Sequence, residues 1–563
     1  MRLLGDRPGD AQEGDSGLRE GAGGATTGSA GIAAAATINI FYLTTTAYIA
    51  DNAQINKTTA ANGSVTVRAT NTTRINSVTG SIGIGLDGAG VGAGLDLLVL
   101  NKDTRAYIGS GASVDASSVL IEATSSEDIL SIAGNAGVGS DAGIAGSASV
   151  QVINTGTRAY IDGGATVNAS GNVGLGASGV LDITMIGGAL GAASTAGVGA
   201  ANTTLVHNDT VQAFIGNGAS VSSGGATGIL LSATSSEDII TIAASAGAAG
   251  TAGVAGSASV TVLDEATQAF IGRSATITAT SGSVALDASD DTSIVSVAGS
   301  LAAAGTAAVG IGADVGVVTK KTEAYIESGV TATVEKDIVI TATSSENITS
   351  VAAGLAASGT VSIALDASVH VLDIQTRAFI GDRPGDGLAS AGAGNVHAGG
   401  NILISADESS EIDKIVGVLA VSGTAGIGAA GAVTVIDKTT EAFIGEGAKV
   451  TADGKWSDAA VMSGALSTAI TVTFFYALVL LIWKERFSRP LNWMGWLLLA
   501  SGVVRLVLMM LPGNEWNSTV PPQPWSLVRT HRTQAGLPRQ RVEGSTNAPP
   551  VELGAAAGNE HIG

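Results

Sequence analysis

The chain has 563 residues, with 79 Gly, no Cys, 4% aromatic and 13% charged residues. The missing Cys excludes thiolate metal sites and disulfide frameworks, while the 45% apolar content separates the chain from disordered sequences. Its net charge of −21 divides into −24 over residues 1–454 (18 Lys/Arg against 42 Asp/Glu) and +3 over 455–563 (nine against six), an acidity that argues against nucleic acid as a partner.

The opening MRLLGDRPGDAQ lacks an apolar core of signal length. Its GDRPGD recurs at 381–386, directly after a repeat anchor, so residues 1–37 read as a degraded repeat or a flexible N-terminal segment. On this reading the chain starts inside a longer protein.

From Ile38 the pattern T-x-A-[YF]-I recurs, with its aromatic at Tyr48, Tyr107, Tyr160, Phe214, Phe270, Tyr325, Phe379 and Phe443. The spacings are 59, 53, 54, 56, 55, 54 and 64, a period near 55. After each anchor comes a small turn, then an alternating segment ending in Ala, such as SVTVRA or DIVITA. Val65, Val67 and Ala69 face one way and their polar neighbours the other, the period of a strand. A polar corner follows, then a run of Ala and Gly. No segment combines helix caps with a 3.6-residue period. One unit is too small to bury its own apolar face and must stack on its neighbours.

These features predict an all-β, elongated repeat β-solenoid over 38–453. The anchor aromatics would form a buried ladder along the inside, and the small residues would let successive coils approach closely. A membrane β-barrel needs aromatic girdles and a bulky lipid face, which these strands lack. Collagen needs Gly at every third position, which also fails.

The polar corner is written ATSSEDI at 123–129 and again at 233–239, and ATSSENI from Ala342. Glu127, Asp128, Glu237, Asp238, Asp290 and Asp291 stand in such corners and offer oxygen ligands of the kind calcium takes. Other units drop the acidic pair, one replacing it with Arg74. A catalytic dyad would not be copied and then lost, so the favoured reading is a solvated turn that holds no metal or cofactor. His207, His370, His397, His531 and His561 have no constant partner and read as ordinary loop or surface residues. No HExxH, GxSxG or GxxxxGK[ST] occurs, and the chain reads as non-enzymatic.

All six Trp and eight of the ten Pro lie beyond residue 455. Two apolar runs there, 459–483 and 491–511, are each long enough to cross a bilayer as a helix. Together they predict a transmembrane helical hairpin over 456–511. Between them Lys484, Arg486 and Arg489 favour a cytoplasmic loop, while Arg529, Arg532, Arg539 and Arg541 in the tail pull the other way. The Pro-rich polar tail, 512–563, is expected to be disordered.

The stretch TRAYIGSGASVDASSVLIEATSSEDILSIAG, with AGSASVQVIN, resembles the passenger repeats of very large filamentous bacterial adhesins. These are the leukotoxin-type and haemagglutinin-like proteins of type V secretion, and the likeness covers about residues 30–453. The resemblance implies a surface-exposed or secreted β-helical stalk that contacts host-cell or bacterial surface ligands, with no catalytic residues. The hairpin is foreign to that family. An alternative is therefore a small polytopic membrane protein, 456–563, fused to adhesin repeats by biology or by mis-joining.

Overall fold

The computed structural model describes residues 2–4, 18–56, 63–383, 391–446, 448–454 and 460–474. Among them every helix or strand is a β-strand, as the alternation predicts. One coil runs through Ala142–Ile161, Thr166–Ala169 and Val173–Ala193, and after two connecting residues the next begins at Ala196. The three strands of each coil join three separate sheets. Sheet B holds the 20-residue strands such as Ala142–Ile161, sheet C the short ones, and sheet A those of 21 or 22 residues such as Val173–Ala193 and Gly228–Ala249. Each strand pairs in parallel with its counterparts one coil before and one coil after, residue upon equivalent residue. Stacked parallel strands of this kind are consistent with a solenoid.

The strands are much longer than the predicted short segments, because the alternation does not stop at the polar corner. In Val119–Gly139 the buried residues run Val119, Ile121, Ala123, Ser125, Glu127, Ile129, Ser131 and Ala133 without a break in parity. The interior is layered accordingly. Next to sheet C lies an apolar base, for example Ala106, Ile108, Val114, Ile121 and Ala123. Midway comes a second apolar layer of Leu100, Ile153, Ile129 and Ile183. Between these two lies a charged layer, and beyond the second a hydroxyl-rich one. There Asp96 accepts from Ser77 at 2.5 Å and from Gln151 at 3.2 Å, and Ser131 meets Ser149 at 2.7 Å.

The far edge is where the Ala/Gly runs gather, and their role differs from the predicted one. A Cβ on Gly137 would collide with the Ile144 carbonyl, and one on Gly191 with that of Val198. Small residues there let sheets A and B close on each other across one coil. The distance between successive coils is set by strand pairing, about 4.8 Å, whatever the side chains are.

At both ends the array passes its predicted bounds. Arg2–Leu4 and Leu18–Thr27 both pair with Val65–Gly85, so strands begin well before Ile38. At the other end Ala460–Phe474 is a strand paired in parallel with Ile402–Ser422. This overturns a helix over the first part of 459–483. The run contains β-branched residues and small ones, and its backbone finds partners in sheet A. No helix among the described residues is long and apolar enough to cross a membrane. The remainder of that run, the second run 491–511 and the tail 512–563 lie outside the described residues.

Candidate functional site

ATSSEDI is not a turn. It occupies the middle of a sheet A strand, and strand parity splits its acidic pair: Glu127 and Glu237 point inward and are buried, while Asp128 and Asp238 point out. Asp290 is likewise buried and Asp291 exposed. Three of the six corner carboxylates therefore lie in the interior, three on the outer face. The solvated-turn expectation fails for the inner three.

The inner carboxylates meet residues from sheet B. In register, sheet A stacks Thr73, Glu127, Leu181, Glu237, Thr292, Glu346 and Ser410. Facing them, sheet B stacks Lys102, Thr155, Asp209, Glu265, Lys320, Ile374 and Lys438. Lys102 Nζ lies 2.6 Å from Glu127 and donates to the Asn71 and Ser126 carbonyls. Lys320, with no exposed side-chain surface, lies 2.5 Å from Asp290, 3.2 Å from Glu346 and 3.9 Å from Glu265. Lys438 pairs with Glu408. Hydroxyls fill the gaps: Ser235 Oγ lies 3.0 Å from Asp209 and 2.5 Å from Glu237, bridging the two, and Thr292 donates to Glu237 at 2.9 Å.

The electrostatics follow from this crowding. Burial opposes the charge on Lys320, but Asp290, Glu346, Glu265 and Glu237 outweigh it and raise its pKa. Burial, reinforced by neighbouring carboxylates, holds Glu237 and Glu265 well above the usual carboxylate range. Asp209 is pushed up to about 6 by burial, even though Thr155 and Ser235 donate to it. Burial pulls His207 down to about 4, so its imidazole is neutral at physiological pH. Such a layer is costly to assemble, and removing one partner leaves an uncompensated buried charge.

Sequence reasoning missed Lys102, Asp209, Glu265, Lys320, Glu346, Glu408 and Lys438, and it misplaced His207 and His370, which are both buried. Parity carries the missing signal. In TLVHND, His207 shares its face with Leu205 and Asp209, which points it inward. His397 does lie near the surface, 2.8 Å from Asp453.

The aromatic ladder is present, on the other face. Tyr48, Tyr107, Tyr160, Phe214, Phe270, Tyr325, Phe379 and Phe443 stack ring on ring with centroids 4.8 to 5.2 Å apart. Their neighbours Ala106 and Ile108 take the inward parity, so the rings stand outside sheet B, and Tyr48 is 52% exposed. Tyr325 and Phe379 alone among the eight are buried. The Arg383 guanidinium sits 5.6 and 5.5 Å from their ring centres and donates to Glu323 at 2.6 Å. Arg383 belongs to the second GDRPGD, which gives that repeated motif a structural part. The outward acids make a column of their own, with Arg74 paired to Asp128, followed by Asp182 and Asp238. Comparison with protein-family models, curated proteins and solved structures finds no match to this chain.

Proposed function

We propose that the chain is a non-enzymatic β-solenoid rod, secreted or displayed at a cell surface, that attaches one cell to ligands on another. The observation that carries this reading is the outward repetition of identical contacts. At the opposite end of the same strands from the aromatic column, sheet B stacks Ile32, Val91, Ile144, Val198, Val254, Val309, Ile363 and Ile427 on its outer face. Ile32 is 69% and Ile427 53% exposed. A weak contact offered by one coil is offered again by the next, about 4.8 Å further on, which turns low affinity into avidity. The aromatic rings face one another, so a partner meets their edges and not their faces.

The charged layer lies inside the coils, where it acts on stability. A membrane-anchored version of this reading rests on 491–511, since Ala460–Phe474 continues the array.

Beads coated with the purified chain test attachment. They should be retained under flow on host-cell or bacterial monolayers more than beads carrying an unrelated acidic protein. Changing Ile144, Val254 and Val309 together to Ser should lower that retention. Retention no better than the control would refute the adhesive role.

A further inference from the structure

We propose that His207, Glu237 and Glu265 form an interior site for one divalent transition cation of the zinc or manganese class. One donor atom from each lies within 4.8 Å of the other two, and all three side chains are buried. Ligand atoms about 2.1 Å from a shared metal lie no more than about 4.2 Å apart, so small torsional adjustments close the set.

The strongest pointer is the histidine itself. Its sheet B column reads Phe41, Leu100, Ile153, His207, Leu263, Val318, Leu372 and Ile436, so every other coil puts a large apolar side chain there. His207 is 1% exposed, and its Nδ1 has no hydrogen-bond partner among the described residues. The Oε1 of Glu265 is also buried without a partner. Thr292 Oγ1 lies 2.9 Å from the Oε2 of Glu237 and 3.3 Å from the Oε2 of Glu265, which orients both carboxylates and leaves the Oε1 of Glu265 open, while the Oε1 of Glu237 is bonded to Ser235.

Charge points the same way. Asp209, Glu237, Glu265, Asp290 and Glu346 share this stretch of the interior with Lys320, which sits closest to Asp290 and Glu346. A divalent ion held between Glu237 and Glu265 would add positive charge where several buried carboxylates face one lysine. A neutral imidazole beside two carboxylates suits zinc or manganese, whereas calcium takes six to eight oxygens. Because the site is enclosed, loading belongs to folding, as the coils close.

The test uses the full chain, unfolded in guanidinium with chelator and refolded with Zn²⁺, Mn²⁺, Ca²⁺ or no metal. The wild type should retain about one Zn²⁺ or Mn²⁺ per chain after desalting and melt at a higher temperature than the metal-free sample. Refolded with Co²⁺, it should show visible absorption from nitrogen and oxygen ligation. His207→Leu restores the apolar column, so it should fold and melt like the metal-free wild type while binding at least about tenfold more weakly. Glu265→Gln should weaken binding similarly. The assignment is overturned if the wild type retains no metal, if either variant binds as well as the wild type, or if Ca²⁺ is retained equally.

Discussion

The apolar base and the charged layer are built on the same coils, yet they differ in how they repeat. In the base, one coil copies the next: Ile108, Ile161, Ile215, Ile271, Ile326 and Ile380 stack in one column. In the charged layer almost no residue lies on its own kind. Parallel in-register pairing holds equivalent side chains about 4.8 Å apart, a distance at which apolar groups and rings attract. Like charges at that distance in a poorly solvated interior repel strongly. A buried charged column therefore varies from coil to coil, Lys102, Thr155, Asp209, Glu265, Lys320, and where it does stack two acids, Asp209 on Glu265, burial holds both carboxyls above their usual range; a buried apolar column is free to repeat.

The comparison breaks most sharply at Lys320. Lys320→Met leaves Asp290 and Glu346 buried without their cation and should cost about 3–5 kcal/mol, read by chemical denaturation. The loss should shrink toward acid pH, because against the opposing pull of burial Lys320 holds the Glu346 carboxyl below its usual range. Lost apolar burial alone would give a pH-independent loss.

The ladder sharpens it next, because one column of rings passes from an open to a covered setting. Phe379, 1% exposed and beneath Arg383, should lose about 3–5 kcal/mol on truncation to Ala. Phe214, half-buried and held by stacking on Tyr160 and Phe270, should lose only about 1–2 kcal/mol. Equal costs would mean that the cover adds nothing.

A third effect comes from Asp366, where burial of a carboxylate whose two oxygens find no hydrogen-bond partner among the described residues pushes the carboxyl up to about 7. Its unfolded value is about 4, so between roughly pH 4 and 7 the folded chain holds a proton that the unfolded chain has released. The stability this group contributes is present at low pH and is lost as pH rises through that window. Asp366→Asn should flatten this part of the melting-temperature profile, and an unchanged slope would place its origin elsewhere.

The smallest effect belongs to the outer face. Asp291→Ala removes an exposed carboxylate that accepts from Ser345 at 2.7 Å, and should change stability by less than about 0.5 kcal/mol.

This contrast also explains what could be read before the structure. The period, the strands and the aromatic stack were legible because their columns repeat, as Val65, Val119 and Val173 do. The charged layer was misread for the opposite reason. Glu127 and Glu237 alternating with Leu181 looks like a drifting, solvated corner, yet drift is what buried charge favours. Parity, carried unbroken from Ala123 to Ala133, would have exposed the error. The inward–outward sense of the ladder was equally available, since Tyr107 alternates with Ala106 and Ile108. Pairing of Ala460–Phe474 could not be read locally, because a run of small and β-branched residues suits a membrane helix and a strand alike.

The two rims of the coil differ in tolerance. At the thin rim, two residues such as Ser140 and Asp141 or Ser194 and Thr195 join sheet A to the next strand of sheet B. The longest anchor spacings, 59 and 64, lengthen the connections that follow Gln54–Ile55 and Ile380 in the chain, the second of them leading to the sheet C strand Gly394–Ala398. Foreign epitopes or whole folded cargo grafted after Ile55 or Ile380 would thus project from the broad rim while every coil kept its register. The same graft at Ser140 would wedge apart two sheets that meet backbone to backbone. The array is in this sense a scaffold with one side open to elaboration and one side sealed.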